Sequence, residues 1–348
     1  MRKFTTVALL LSGCGVMAQA QSGLELIQPD PGFVFGIEWR RIIDSSVGAM
    51  MTEEIKKAPL PPMPEVQALV DALLHDLDSV VLAASASELK KTAAAQPPAL
   101  IVLKGRFKPE LQSQLKGMAK KSETYRSVEL MSPPDDTSAG EPNKNRIAFL
   151  DANTILGGDI GEVRAAIDRA KAGHLSAVRR GILDGTAALA SKNDLWIVFE
   201  LPANALKEAP PQAVQMFSGV KGAELGISFQ DGLGVQLNVR TKDEAAAATV
   251  AQALQGLIAL GAMSQSQSPQ AGEVLKKIKI APENSRVKLA LSIDRSELEK
   301  MIKEARATAA APKNTAALAP APAPEPKGPR TIRITGLDSG PVELPVTK

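Results

Sequence analysis

Cysteine and histidine are nearly missing from this 348-residue chain, which holds one Cys, Cys14, and two His, His75 and His174. Disulfides, thiolate metal sites and a cysteine nucleophile are therefore excluded from everything after residue 14. Two histidines far apart in sequence cannot build a usual zinc site. No Gly-x-Ser-x-Gly elbow occurs, so a Ser-His-Asp hydrolase has no support. Aromatic residues are only 3% of the chain, which argues against a reader of carbohydrate or single-stranded nucleic acid that works by stacking. Charge of one sign is also scarce: the net charge is +3, and loss of Arg2 and Lys3 would leave +1. Nothing electrostatic points to DNA or RNA. Walker, dinucleotide-fingerprint and calcium-loop motifs are absent. Beyond the first twenty residues no segment approaches the roughly 18 apolar residues of a membrane-spanning helix.

The N-terminus does carry a signal. Met1-Arg2-Lys3 is basic, Phe4 to Met17 is apolar or small and uncharged, and Ala18-Gln19-Ala20 has the small-x-small form that signal peptidase reads. Residues 1–20 are expected to be a signal peptide cut after Ala20. A competing reading uses the same stretch: Leu11-Ser12-Gly13-Cys14 resembles a bacterial lipobox, in which Cys14 is lipidated and becomes the first residue. Cleavage would release a periplasmic or secreted protein, whereas lipidation would tether it to a membrane.

The remaining chain is long enough for about two domains. Phe33 to Trp39 reads as a strand, followed by a helix with Ile43, Val47, Met50 and Met51 on one face. Pro59, Pro61, Pro62 and Pro64 break it, and Val66, Leu69, Val70, Leu73 and Leu74 stripe a second helix. Strands fit Ser79–Ala84, Leu100–Leu103, Tyr125–Leu130 and Ile147–Leu150, with a helix at Leu111, Leu115 and Met118. Gly157-Gly158 reads as a turn before a helix that carries Ile160, Val163 and Ile167 and starts at Asp159. In the second half, Leu195–Phe199 is a strand. Leu225, Ile227 and Phe229 alternate, as do Leu233, Val235, Leu237 and Val239. A three-residue loop would pair Ile227 with Val235 and place both apolar sets on one face, with Gly232 in a left-handed position. An Ala-rich helix follows, then strands at Lys277–Ile280 and Val287–Ile293 and a helix begun by Asp294.

The two halves share an order of elements and a local echo, Arg106-Phe107-Lys108-Pro109-Glu110 and Arg240-Thr241-Lys242-Asp243-Glu244. The expected fold is α+β, with two similar ferredoxin-like (split β-α-β) units, 21–175 and 176–306, and mostly antiparallel sheets. Residues 307–330, rich in Ala-Pro pairs, read as an extended linker. Residues 331–348 read as a C-terminal β-hairpin too small to fold alone.

Candidate chemistry is sparse. His75 and His174 read as solvated or helix-capping. Asp135-Asp136 and Glu53-Glu54 read as solvated charge. Trp196 reads as core, and Trp39 as buried against its helix rather than lining a groove. No catalytic, cofactor-binding or metal-ligating residue is assigned. The site residues are those of processing, Ala18 and Ala20 or, alternatively, Cys14.

With its export signal, strand-Glu-helix openings such as Phe35-Gly36-Ile37-Glu38, Ala/Pro linker and Gly328-Pro329-Arg330 to Leu337 tail, the chain resembles uncharacterised exported bacterial proteins with repeated α+β units. The resemblance implies export and no catalytic residues. The expected function is non-catalytic binding or scaffolding, with no cofactor and no nucleic acid. A protein partner would be engaged by strand addition through the C-terminal tail, and a membrane only through a lipidated Cys14. The alternative is an exported hydrolase whose acids converge in one pocket with raised pKa values.

Overall fold

The computed structural model describes residues 23–57, 70, 75–85, 98–132, 144–172, 181–183, 185–202, 206, 210, 211, 214, 217–263, 269–310, 331–334 and 342–345. Residues up to Leu298 form one compact unit, and Glu299–Lys348 a second.

The first unit is built on a twelve-stranded sheet. Its strands in chain order are β1 (Pro31–Ile37), β2 (Leu77–Ser85), β3 (Ala99–Gly105), β4 (Ser122–Tyr125), β5 (Val128–Met131), β6 (Asn145–Asp151), β7 (Thr154–Asp159), β8 (Leu195–Glu200), β9 (Val220–Ser228), β10 (Gly232–Thr241), β11 (Lys279–Glu283) and β12 (Arg286–Asp294). Their spatial order is β11-β12-β10-β9-β8-β1-β2-β3-β7-β6-β5-β4. The described helices are α1 (Trp39–Asp44), α2 (Ser46–Lys57), α3 (Pro109–Met118), α4 (Ile160–Lys171), α5 (Thr186–Lys192), α6 (Glu244–Met263), α7 (Pro269–Lys276) and α8 (Arg295–Ala310), with a 3-10 turn at Gly181–Leu183.

The α+β class and antiparallel pairing expected from the sequence are present, but the strand order does not reproduce two ferredoxin-like units. A split β-α-β unit sets a third strand between the two parallel strands that a helix joins, whereas β1 and β2, joined through α1 and α2, are direct antiparallel neighbours. The halves also share the sheet, because β1 pairs with β8, Gly36 opposite Trp196. Reading outward from β1 gives β2, β3 and then β7, which returns from the edge. Reading outward from β8 gives β9, β10 and then β12, which does the same.

Several local readings are matched and others revised. Val235 pairs with Ile227 and Leu237 with Leu225, in the register of a three-residue loop, and Gly232 has φ +119°. Asp159 caps α4, its carboxylate accepting the Gly161 N–H at 2.8 Å, and Asp294 accepts the Glu297 N–H at 3.0 Å. The single strand expected over Tyr125–Leu130 is two strands, β4 and β5. They are joined at Arg126-Ser127, both at positive φ (47° and 65°), a turn that carries no glycine to betray it. Helix α8 continues to Ala310, into the expected linker, because Ala307-Thr308-Ala309-Ala310 favours helix and the first proline comes at 312. The second-unit strands β13 (Thr331–Ile334) and β14 (Val342–Pro345) pair as the expected hairpin. The helix stripe from Val66 to Leu74, His174, the Asp135-Asp136 pair and the signal segment with Cys14, Ala18 and Ala20 lie outside the described residues, apart from Val70.

One face of the sheet carries the main core. Val34, Val81, Val102, Leu156, Trp196 and Val198 are sealed there under Val163, Ala166 and Ile167 of α4, the Ile182–Leu183 turn, Ala190 of α5 and the N-terminal Leu24, Leu26 and Ile27. The other face is covered at its two ends by different helices. Helix α6, 20 residues long, lays Ala247, Val250, Ala251 and Leu254 on Ala223, Val239 and Val287. Helix α3, only 10 residues long, lies over β3, β7 and β6.

Candidate functional site

Among the described residues, the second face is incompletely filled beneath the short helix α3. Pro109, at its first turn, suits a helix start because its missing N–H costs nothing there. Leu111 and Leu115 turn toward the sheet; Leu111 is buried and Leu115 half-buried, and Phe107 joins them from the preceding connection. Beneath them two cross-strand rows run over the sheet. One is Leu103–Ile155–Phe149, with a large side chain at each step. The other is Ile101–Gly157–Ile147, with no side chain in the middle.

That missing side chain leaves a gap. A cavity of about 300 Å³ is lined by Leu77, Ile101, Leu103, Phe107, Leu111, Leu115, Ile147, Ile155, Leu156 and Gly157. No lining residue has a polar side chain. Well-packed proteins rarely leave so large an apolar space unfilled, and this one is partly open to solvent. A β-carbon on Gly157 would meet only the Ile101 β-carbon, at 3.9 Å, and Gly157 is not at positive φ. This glycine is therefore not required by the backbone. Its neighbour Gly158 is required: it has φ +124°, and a β-carbon there would strike the Ala99 carbonyl oxygen.

Gly157-Gly158, a turn signal in the sequence, lies inside β7 instead. The available clue was Asp159, which starts α4 directly and leaves no room for a turn between strand and helix. None of the other lining residues was singled out as functional, since apolar residues in strands look the same whether they fill a core or line a void.

The processing residues, Cys14 or Ala18 and Ala20, lie outside the described residues. His75 is exposed, and its carbonyl accepts a hydrogen bond from Arg40. Trp39 is half-buried at the start of α1 and does not line the cavity; Trp196 is fully buried, as expected for core.

Acidic side chains do meet at the β1–β8 junction. Glu38 follows β1, and the fully buried Asp194 precedes β8. Arg41 lies 3.2 Å from the Asp194 carboxylate and donates to the carbonyls of Ala190 and Ser191, each at 2.7 Å, and of Asn193. Asp194 also accepts the Phe229 N–H at 2.6 Å and the Gln230 amide at 3.3 Å. Burial pushes the Glu38 carboxyl above its ordinary value. Arg41 and the Trp196 indole N–H, close by but outside hydrogen-bond alignment, pull it down, and Asp194 adds to the rise. Arg41 and Asp194 tie α1 and the end of α5 to the sheet. Among the described residues no three His, Cys, Asp or Glu side chains are grouped to hold a metal ion, and no helix is long and apolar enough to cross a membrane.

No protein-family model matches the sequence, and no curated protein matches it. A solved structure described as crystal form IV of TP0453 is similar over 80% of this chain and 95% of its own, at 7% sequence identity and a TM-score of 0.45.

Proposed function

We propose that this is an exported, non-catalytic binding protein, and that the apolar cavity beneath α3 is where it holds its ligand. One observation carries the reading: a void of about 300 Å³ with an entirely apolar lining, kept open by a glycine whose backbone does not need to be glycine. That volume is at the lower end for small-molecule sites. The lining offers no acid, base or nucleophile, so it can bind and shield an apolar group and can do no chemistry on it.

Export rests on residues 1–20. The first described residues, Gly23 to Ile27, form a turn whose Leu24, Leu26 and Ile27 are buried in the main core. Cleavage after Ala20 would leave only Gln21 and Ser22 ahead of that turn. Lipidation at Cys14 would instead leave nine residues, Cys14 to Ser22, a tether of at most about 32 Å. We also read the chain as an internal duplication. The support is the matching order outward from β1 and β8, with the Arg106–Glu110 and Arg240–Glu244 echoes each leading from a strand (β3, β10) into a covering helix (α3, α6).

The test of the binding reading is titration of a neutral apolar fluorophore, N-phenyl-1-naphthylamine, into the mature protein and its Gly157→Leu and Gly157→Ala variants. Saturable binding is expected, weakened by about tenfold or more (at least ~1.4 kcal/mol) in Gly157→Leu and less in Gly157→Ala. Unfolding midpoints should be unchanged or raised, because the new side chain fills a void. Absence of saturable binding, or equal binding by all three proteins, would overturn the reading.

A further inference from the structure

We infer that the occupant of this cavity is a single-chain anionic amphiphile, its hydrocarbon tail beneath α3 and its acidic headgroup at the rim among Arg106, Lys108 and Lys116. The inference rests on the reading of the cavity as a binding seat and adds the class of ligand.

The first ground is charge. From Lys104 to Lys121 the chain carries Lys104, Arg106, Lys108, Lys116, Lys120 and Lys121 against a single acid, Glu110. In a protein of nearly balanced charge, this concentration falls on the one segment that roofs the cavity. Lys104 is not part of the argument, since it turns inward to Glu25 (3.1 Å) and Thr154 (3.1 Å). Arg106 and Lys108 flank Phe107, and Lys116 follows Leu115, so each stands beside a lining residue.

The second ground is how loosely these cations are held. Arg106 and Lys108 are 71% and 70% exposed and stand 3.9 Å from Asp78 and 4.0 Å from Asp76. Lys116, 53% exposed, is closer to its partner Glu129, at 2.6 Å. Exposed pairs of this kind contribute little, so a carboxylate or phosphate brought to the rim can recruit the same side chains at small cost, and its charge-assisted hydrogen bonds are stronger than neutral ones. A cationic or zwitterionic headgroup would meet repulsion or gain nothing.

The third ground is volume. A cavity of about 300 Å³ is at the lower end of small-molecule sites. That suits one medium-length chain and is too small for the paired chains of a bilayer phospholipid. The observations favour a monomeric amphiphile over a membrane surface.

Displacement of the neutral fluorophore provides the test, using decanoate, 1-decanol and decyltrimethylammonium below their micelle concentrations. The proteins are the mature chain, Gly157→Leu, and a triple variant Arg106→Gln, Lys108→Gln, Lys116→Gln whose far-ultraviolet dichroism and urea midpoint are checked against the parent. Decanoate is expected to displace at a concentration lower than either competitor by about tenfold. The preference should largely vanish in the triple variant and shrink at about 0.5 M salt, where exposed charges are screened. Equal displacement by decanoate and decyltrimethylammonium, or an unchanged preference in the triple variant, would overturn the ligand class while leaving the cavity reading intact. Failure of the fluorophore itself to bind would remove both. Phosphatidylcholine vesicles with and without phosphatidylglycerol form the last arm: sedimentation with the anionic vesicles, equal for parent and Gly157→Leu, together with no decanoate binding, would replace a cavity ligand by a surface one and overturn the inference.

Discussion

The indole of Trp196 packs so closely against Gly36 across the β1–β8 pair that a β-carbon at residue 36 would come within 2.0 Å of its Cε2 and 2.1 Å of its Cζ2. Trp196 is the largest fully buried side chain among the described residues. It sits where the two halves of the chain join into one sheet. The glycine is the space the tryptophan needs.

Gly36→Ala is therefore expected to destabilise the protein by about 3 kcal/mol or more, since overpacking against an immobile ring forces backbone shifts. Trp196→Leu alone should cost about 2–4 kcal/mol through lost burial. The double variant should be more stable than the sum of the two losses allows, because the smaller side chain accommodates the new methyl. Urea unfolding of the four proteins measures the coupling. Strict additivity would mean the two residues do not compete for one space.

Glu38 gives a pH-dependent prediction at the same junction. Its carboxyl is raised above the ordinary 4.5, chiefly by burial, despite the favourable charge of Arg41. A carboxyl whose folded pKa is raised binds its proton more tightly in the native state than in the unfolded one. Its contribution is fully present below the unfolded value and is lost as pH rises through the folded value. Glu38→Gln, which mimics the protonated form, should be more stable than the parent at pH 7, and the difference should shrink as pH falls through the raised folded value and be gone by about 4.5. Thermal melts of both proteins from pH 4 to 7.5 check this. A variant less stable at pH 7 would mean that the Arg41 attraction outweighs the cost of burying the charge.

Much of the local structure was legible in the sequence because it rests on short-range patterns. Leu225/Ile227 and Val235/Leu237 alternate with period two, and the Asp231-Gly232 turn fixes their register. Asp159 and Asp294 announce helix starts through groups one to three residues away. The global pairing was not legible, because β1 and β8 are joined by contacts across 160 residues of chain (Gly36 to Trp196), and an apolar strand carries no label for its partner. The cavity was hidden for a related reason. Ile101, Gly157 and Ile147 become one row only after β3, β7 and β6 pair, so the missing side chain at 157 has meaning only in three dimensions.

The N-terminal turn offers the last prediction, since it decides whether the residues from Gly23 onward are seated in the folded body. Glu25 and Lys104 form an ion pair at 3.1 Å with side chains only 9% and 17% exposed, and Thr154 accepts a hydrogen bond from the same ammonium. Leu24 and Leu26 on either side of Glu25 are anchored in the main core, and Arg169 holds the Leu26 carbonyl at 2.8 Å. Removing one partner of such a pair strands a buried charge, so Lys104→Met is expected to cost about 3–5 kcal/mol. Replacing both, Glu25→Leu with Lys104→Met, should recover most of that loss, because the apolar pair needs no solvation. If the single variant is harmless, the turn is not seated as described and the residues just after the expected cleavage site are free to move. If the double variant is as damaged as the single, the pair specifies the turn's position and not merely its energy. Urea midpoints of the three proteins, with hydrogen exchange at the Leu24 and Leu26 amides, separate these outcomes.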